Sequence, residues 1–327
     1  MPSPNTTFTE LVTTTFRKHR TKLVDNVTNN NALLAWIKRN GMKRTEDGGL
    51  SIVEPLEYAE NSTYQRYSGF DILNTQASDV FTAAEFDWKQ IALNVVASGR
   101  ELRINSGEAK IINLAKSRLQ NAMNTFANQF SADVYGDGTS TNQIGGLKLL
   151  VSAGTTTGFT STSTVGGINT TSTANAFWRN YTLDLSNSSI TQSSTTIEND
   201  ILLKMWLEMV RGNDKPDLII MSNEDYTDFE KSQTSIKRYT TTDTAKAGFE
   251  GLKYKTADVI FDGGSGITTS YTYMLNTKYM KLVTHKDADL TVMDEMRPYN
   301  QDGVVIPILW MGNMTISNRA LQAVKVP

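Results

Sequence analysis

The longest periodic stretch of the sequence, in the first half of the chain, predicts one very long helix. Its apolar residues recur at steps of three or four, which places them along one face of an α-helix. Asn105 and Glu108 have the spacing of a capping box at its start. The pattern covers residues 107–134, and a helix of that length would be about 40 Å long. The apolar positions are Ile111, Ala115, Leu119, Ala122, Phe126 and Phe130.

A polar, glycine-rich stretch, ADVYGDGTSTNQIGGL at 132–147, follows the helical pattern. Gly136 and Gly138 are expected to end the helix. Asp133 and Asp137 lack the further spaced acidic residues of a calcium loop. We therefore interpret the stretch as a corner of the chain, not as a ligand site.

Residues 48–98 have the pattern of a long two-stranded β-arm. GGLSIVEPLEY at 48–58 alternates apolar and polar residues, and Pro55 confines it to a sheet edge or a projecting ribbon. A second strand pattern covers 80–98, and its phase shifts across 88–91, which indicates a bulge or a change of partner. A lone hairpin is only marginally stable in water, so we expect the arm to lie on another subunit.

The remaining patterns alternate between helices and strands and predict an α+β fold. A short helix is expected after Asn31, and an amphipathic helix is expected from about residue 195. A buried strand then leads into a helix capped by Ser222, and the chain ends in strands. Residues 151–195 have the composition of a linker. Five apolar side chains nevertheless indicate partial anchoring of that segment: Phe177, Trp178, Tyr181, Leu183 and Leu185.

The composition excludes several classes of function. The 327 residues include 32 basic and 34 acidic side chains, a balance that requires neither a nucleic-acid nor a membrane partner. The absence of cysteine excludes disulfides, thiolate metal sites and thiol catalysis. The first residues lack the apolar core of a secretory signal, and the longest apolar run is too short to span a bilayer. We expect a soluble protein made inside the cell.

Candidate catalytic groups are few. His285 lies near Asp287 and Asp289, and a histidine beside carboxylates can act as a base or ligate a metal, but a polar turn is the favoured interpretation. GGSG at 263–266 is followed by no helix, so it is interpreted as a turn and not as a phosphate site. The acidic run SNEDYTDFE is interpreted as helix capping. We predict no catalytic, cofactor-binding or metal-binding residue.

Two further segments point to interfaces. The basic run RKHR at 17–20 is interpreted as a solvated or inter-subunit face in preference to a nucleic-acid contact. Arg66 lies between tyrosines in TYQRYSGF, and arginine together with aromatic residues is typical of protein interfaces. We favour an interface there over a platform for stacking nucleic-acid bases.

The order of these elements resembles the major capsid proteins of tailed bacteriophages, which share the Hong Kong-type shell fold. The segments that carry the resemblance include NALLAWIKRNG, WKQIALNVVASGRELRINSGE, ADVYGDGTSTNQIGGLKLLVS, GGINTTSTANAFWRN, PDLIIMSNEDY, GFEGLKYKTADVIFD and LWMGNMTISN. The resemblance implies an N-terminal arm over 1–47, an E-loop β-arm over 48–85, a P domain over 86–140 with its spine helix at about 107–134, an A domain over 141–290 that includes an insertion at 151–195, and C-terminal strands over 291–327.

The resemblance also implies a function. Members of the family assemble into pentamers and hexamers of an icosahedral shell that encloses double-stranded DNA, so the expected location is the virion, after assembly in the bacterial cytoplasm. Expected partners are other copies of the chain, a separate scaffolding protein, a portal and decoration proteins, with no membrane. The sequence has no lysine between Lys43 and Lys89, which disfavours the E-loop crosslink of some relatives. Alternatives are an encapsulin-like compartment shell and a hydrolase with a site near His285.

Overall fold

Two β-sheets organise the part of the chain that the structure describes. The computed structural model describes residues 32–104, 114–160, 163–233, 252–262 and 266–327. One sheet has four strands and the other has seven, and two further two-stranded ribbons complete the strand content. Helices pack on the sheets, so the α+β class expected from the sequence is confirmed.

The four-stranded sheet has the order β1-β13-β14-β4. Strand β1 runs parallel to β13, whereas β13–β14 and β14–β4 are antiparallel. The boundary predicted at residue 290 falls inside β13, which is one continuous strand of this sheet. The bounds are β1 Lys43–Glu46, β4 Lys89–Ser98, β13 Met280–Val292 and β14 Gly303–Ile316.

The predicted long helix is confirmed over its described part. It contacts β4, and the ring of Phe130 packs edge-on against Trp310 of β14 with 4.8 Å between ring centroids. The proposed cap at Asn105 and Glu108 lies outside the described residues. The helices up to this point are α1 Ala32–Arg39, α2 Gly99–Ile104 and α3 Leu114–Val134.

Helix α2 follows β4 directly, and the end of β4 at Ser98 agrees with the strand pattern predicted over 80–98. The Ser98 hydroxyl accepts a hydrogen bond from the Glu101 main-chain N–H at 3.3 Å. The Glu101 carboxylate accepts one from the Ser98 N–H at 3.0 Å. This reciprocal pair is a capping box, and it starts a short helix that the sequence analysis did not predict.

The seven-stranded sheet has the order β10-β11-β9-β12-β15-β8-β5. Every residue of β8, β9, β12 and β15 is buried, because helices cover this sheet. The predicted amphipathic helix is present as a π-helical segment Ile197–Leu202 that continues into an α-helix. The bounds are β5 Gly158–Phe159, β8 Tyr181–Asp184, β9 Leu218–Met221, β10 Leu252–Tyr254, β11 Ala257–Phe261, β12 Thr272–Leu275, β15 Ala323–Val326, α4 Leu147–Leu150, α5 Leu203–Met209 and α6 Asn223–Ser232.

The predicted two-stranded arm is shorter than expected. Strand β2, Ile52–Glu57, pairs with β3, Phe81–Phe86, and Pro55 sits in this two-stranded ribbon as predicted. The second half of the 80–98 pattern is β4, which belongs to the four-stranded sheet. The phase shift in the sequence therefore marks a change of partner between Phe86 and Lys89.

The Ser/Thr-rich segment 151–195 is built into the fold. It contains β5, β8, a 3₁₀ helix Thr173–Trp178 and a small hairpin of β6, Thr164–Val165, and β7, Ile168–Asn169. Trp178, Tyr181 and Leu183 are buried, which confirms the predicted anchoring.

Candidate interaction surface

The ribbon of β2 and β3 has one buried and one exposed face. Ile52, Glu54 and Leu56 alternate with exposed residues along β2, and Ala84 and Phe86 lie on the same buried side of β3. These apolar side chains belong to the core cluster that also contains α1 and the four-stranded sheet. The base of the ribbon is therefore part of the folded body.

Glu54 is a carboxylate on this buried face, and both of its oxygens are paired. Its Oε1 accepts a hydrogen bond from the Thr315 hydroxyl of β14 at 2.9 Å. The Arg44 guanidinium of β1 lies 2.7 Å from the same oxygen and donates to Oε2 at 3.2 Å. A buried carboxylate is tolerated only with such partners, so Glu54 fixes the ribbon to the four-stranded sheet.

The segment between the ribbon strands, residues 58–80, is called the tip here. It contains neither helix nor strand, and its polar side chains bond to one another. The Gln65 amide donates to the Ile72 carbonyl at 3.0 Å and accepts from the Asn74 N–H at 3.2 Å. The Ser62 and Ser78 hydroxyls lie 2.6 Å apart. The tip is thus organised by its own hydrogen bonds.

Large apolar side chains of the tip point into solvent. Phe70 and Ile72 are almost fully exposed, and Tyr64, Tyr67 and Leu73 are more than half exposed. A group of exposed apolar residues on one short segment is typical of a site that binds another macromolecule. Arg66 is exposed among these side chains, as the sequence interpretation required.

A second exposed apolar group lies at the turn between β13 and β14. Val292, Met293, Met296 and Tyr299 are exposed there, although an isolated bridge between Met296 and Val305 holds the turn against β14. Sequence reasoning missed this surface. Its signal was available in MDEMRPYN, where two methionines and a tyrosine are spaced by charged and turn-forming residues.

His285, the histidine considered above as a base or a metal ligand, lies in β13 opposite Glu46 of β1. Its Nδ1 accepts a hydrogen bond from the Asp287 main-chain N–H at 3.1 Å. Its ring packs edge-on against Trp88, with centroids 5.7 Å apart. The Asp289 carboxylate pairs with Lys43 instead. The polar-turn interpretation is therefore wrong: these residues lie within β13, where the register with β14 shifts between Thr284 and Asp289.

The stretch at 132–147 is a corner, as predicted. Asp137 accepts hydrogen bonds from the hydroxyl and the N–H of Thr139, and these bonds hold the pKa of Asp137 below its usual value. Asp133 accepts from the Gln143 amide at 3.0 Å. Both carboxylates therefore stabilise the turn.

The acidic run at 222–230 caps α6 and contributes one buried charge. The Ser222 hydroxyl accepts from the Asp225 N–H at 3.4 Å. The Asp225 carboxylate pairs with Lys325 of β15, Nζ lying 3.0 Å from both oxygens, and accepts from the Thr272 hydroxyl. Burial lowers the pKa of Lys325, and the charge of Asp225 opposes that effect.

Arg319 is a second buried cation that sequence reasoning missed. It donates to the carbonyls of Leu150 and Trp178 at 2.7 and 2.9 Å and to the Asn180 side chain at 2.8 Å. Burial lowers the pKa of Arg319 to about 9, which still leaves the guanidinium charged at neutral pH. Nothing in NRALQAVKV distinguishes these two cations from exposed ones, because the partners named for them lie 55 or more residues away.

Besides the cap at Asn105 and Glu108, two predicted features fall outside the described residues: the basic run at 17–20, with His19, and the first three residues of GGSG at 263–265. Within the described ranges, no helix has the length and hydropathy needed to cross a membrane. The same parts of the chain contain no group of three or more histidine or acidic side chains placed to hold a metal ion.

Comparison with known proteins identifies the fold. No protein-family model matches the sequence, and no curated protein matches it. The capsid asymmetric unit of cyanophage A-1(L) has a TM-score of 0.68 at 13% identity, and the match covers 94% of this chain and 95% of that one. The capsid of a native GTA particle has a TM-score of 0.64 at 10% identity, covering 94% and 93%. The capsid of Myoviridae phage XM1 has a TM-score of 0.56 at 14% identity, covering 94% and 95%.

These matches extend over almost the whole length of every chain compared. The chain therefore has a capsid-shell fold, and the Hong Kong-type fold implied by the sequence resemblance is confirmed. At identities of 10–14% the likeness defines the fold alone.

Proposed function

We propose that this chain is the major capsid protein of a tailed bacteriophage, which assembles through many copies of itself into an icosahedral shell around double-stranded DNA. The observation that carries the proposal is the ribbon. Its base is built into the core, while its tip is ordered by internal hydrogen bonds and exposes Phe70 and Ile72. A ribbon of this kind gains stability by burying its tip on a neighbouring copy.

The capsid fold supports the same proposal. A shell requires many modest contacts repeated by symmetry, and an extended ribbon reaches a neighbour without a large flat interface. In this proposal the protein acts as a structural subunit without catalysis, and its location is the virion. Contacts with a scaffolding protein, a portal and decoration proteins belong to the proposal through the sequence resemblance.

The test is assembly of the full chain and of a tip variant. Sedimentation and negative-stain imaging of the wild type, with and without a co-expressed scaffolding protein, should reveal capsomer rings or closed shells. The double variant Phe70→Ser, Ile72→Ser removes exposed apolar surface only, so we expect an unchanged Tm and a loss of most of the rings and shells.

Gln76→Ser is the matched control, because Gln76 is an exposed polar side chain of the same tip. It should assemble like the wild type. A wild-type chain that stays monomeric under both conditions would contradict the proposed function. Normal shells from the Phe70 and Ile72 double variant would instead show that the tip is not the contact.

A further inference from the structure

The small hairpin of β6 and β7 lies directly against the base of the ribbon. The Glu85 N–H of β3 donates to the Gly166 carbonyl in the hairpin turn at 3.0 Å. Val165 is buried, and its carbonyl accepts from the Trp178 indole N–H at 3.0 Å. The hairpin is therefore tied to the body through Trp178 and to the ribbon through Glu85.

The turn of this hairpin fits the ribbon so closely that only glycine is accommodated at one position. A Cβ on Gly166 would lie 2.7 Å from the Ala84 Cβ and 3.2 Å from the Phe86 ring. Gly166 also has a φ of +59°, in the left-handed region that favours glycine. Its absent side chain is what allows the hairpin to touch the ribbon.

The adjacent glycine shows what the turn alone requires. Gly167 has a φ of +75°, but a Cβ on it would meet no atom of the described part of the chain within 4 Å beyond its immediate neighbours. The two glycines therefore share the same conformational requirement, and only Gly166 has the steric one.

The four-stranded sheet holds the ribbon at the same position along its length as Gly166 does. Ala84, which faces Gly166, pairs across the ribbon with Glu54. Glu54 in turn is held by Thr315 of β14 and Arg44 of β1. The hairpin and the four-stranded sheet thus contact the ribbon at one cross-strand pair, Glu54 and Ala84, near the junction of the ribbon with the body.

We infer that the hairpin at 164–169 is a clamp that sets the direction in which the ribbon leaves the body, with Gly166 as its positioning residue. The inference rests on the proposed function, because direction matters only if the tip must meet a neighbouring copy. A tilt of about 10° at the base would displace a tip about 35 Å away by about 6 Å. That displacement exceeds what a packed interface tolerates. The clamp also gives the Ser/Thr-rich segment 151–195, which contains the hairpin, a role in assembly.

The test compares three variants of the full chain. Gly166→Ala should push β3 away and break the bond from the Glu85 N–H, so amide hydrogen exchange in residues 81–86 should accelerate about ten-fold. Shells from this variant should be fewer or aberrant in size. Gly167→Ala introduces the same left-handed alanine without the clash, so it should exchange and assemble much closer to the wild type.

A third variant isolates the steric contact. Ala84→Gly combined with Gly166→Ala removes the Cβ that Gly166→Ala would strike at 2.7 Å and leaves the 3.2 Å contact with Phe86. Exchange should then slow towards that of Gly167→Ala, and shell formation should recover. Equal exchange in Gly166→Ala and Gly167→Ala would overturn the clamp, as would loosened ribbons that still build normal shells. If the wild type itself does not assemble, the proposed function fails, while the exchange comparison still decides whether the hairpin holds the ribbon.

Discussion

The ribbon tip and the seven-stranded sheet arrange polar and apolar groups in opposite ways. The sheet buries the cation Lys325, whereas the tip exposes Phe70 and Ile72 to solvent. Lys325 is surrounded by acceptors from Gln192, Asp225 and Ser270, so even its charge is satisfied within the chain. The charge buried in the described part of the sheet is therefore paired within one subunit.

The tip is complete only in its hydrogen bonds. Gln65 bridges its two sides, yet its apolar side chains have no cover in the described structure. Burial of apolar surface is the main favourable term in association. Apolar side chains that the monomer leaves exposed can therefore stabilise a contact between molecules. The difference separates residues that stabilise the subunit from residues that, in our proposal, join subunits.

The largest expected effect concerns the buried ion pair between Lys325 and Asp225 in the seven-stranded sheet. Lys325→Met should lower the free energy of unfolding by about 3–5 kcal/mol, because it leaves the buried Asp225 carboxylate without its counter-ion. Chemical denaturation of the variant measures the loss. Lys278→Met is the matched control, since Lys278 also lies 3.0 Å from an aspartate, Asp214, but its side chain is 66% exposed. It should leave the unfolding midpoint unchanged.

Adding Asp225→Asn to Lys325→Met removes both charges and sharpens the test. If an unpaired buried carboxylate is the cause, the double variant should recover a large part of the lost stability. A double variant as unstable as the single one would show that packing around Lys325, not its charge, stabilises the sheet.

The next largest effect is a difference in stability between an isoleucine at the base of the ribbon and an isoleucine at its tip. Ile52 at the base is 0% exposed and Ile72 at the tip is 93% exposed. Ile52→Ala should destabilise the monomer by about 3 kcal/mol, because it opens a cavity in the core. Ile72→Ala should change stability by less than about 0.5 kcal/mol and should instead weaken assembly.

Thermal unfolding and sedimentation of the same two variants separate these effects. The assignment of the base to monomer stability and of the tip to assembly is wrong if Ile72→Ala lowers the Tm as much as Ile52→Ala does. The assignment is also wrong if Ile52→Ala leaves the monomer as stable as the wild type.

The periodic parts of the fold could be predicted from the sequence, because their signals are local. The steps of three or four apolar residues located α3, and the phase shift near Trp88 located the change of partner between β3 and β4. The glycines after Val134 located the corner. Each of these signals depends on neighbours within a few residues.

Most of the parts that were missed depend on contacts between distant segments. The Ser98–Glu101 capping box is local, but a strong strand pattern precedes it and concealed the helix start. The burial of Lys325 depends on Asp225, 100 residues earlier, and the need for glycine at 166 depends on Ala84. Such pairings follow from tertiary packing, which composition and periodicity do not encode.

The smallest expected effect concerns the junction between the long helix and the seven-stranded sheet. The Tyr135 hydroxyl, just beyond α3, donates to the buried Asp262 carboxylate, just beyond β11, at 2.8 Å. Tyr135→Phe should cost about 1 kcal/mol at pH 8, the typical contribution of one such hydrogen bond.

The pH dependence of the same variant separates this bond from simple packing. Burial, together with the charge of Asp262, raises the pKa of Tyr135 well above its usual value of 10.0. Above pH 10 the unfolded chain releases this proton while the native protein retains it, so the stability that Tyr135 contributes is present below pH 10 and is lost as the pH rises further. In urea titrations from pH 8 to 11, Tyr135→Phe should therefore lose stability less steeply than the wild type. Tyr299→Phe, which alters a fully exposed tyrosine, should follow the wild-type slope. Equal slopes for all three proteins would mean that Tyr135 does not hold its proton in the native state, and the junction would then depend on packing alone.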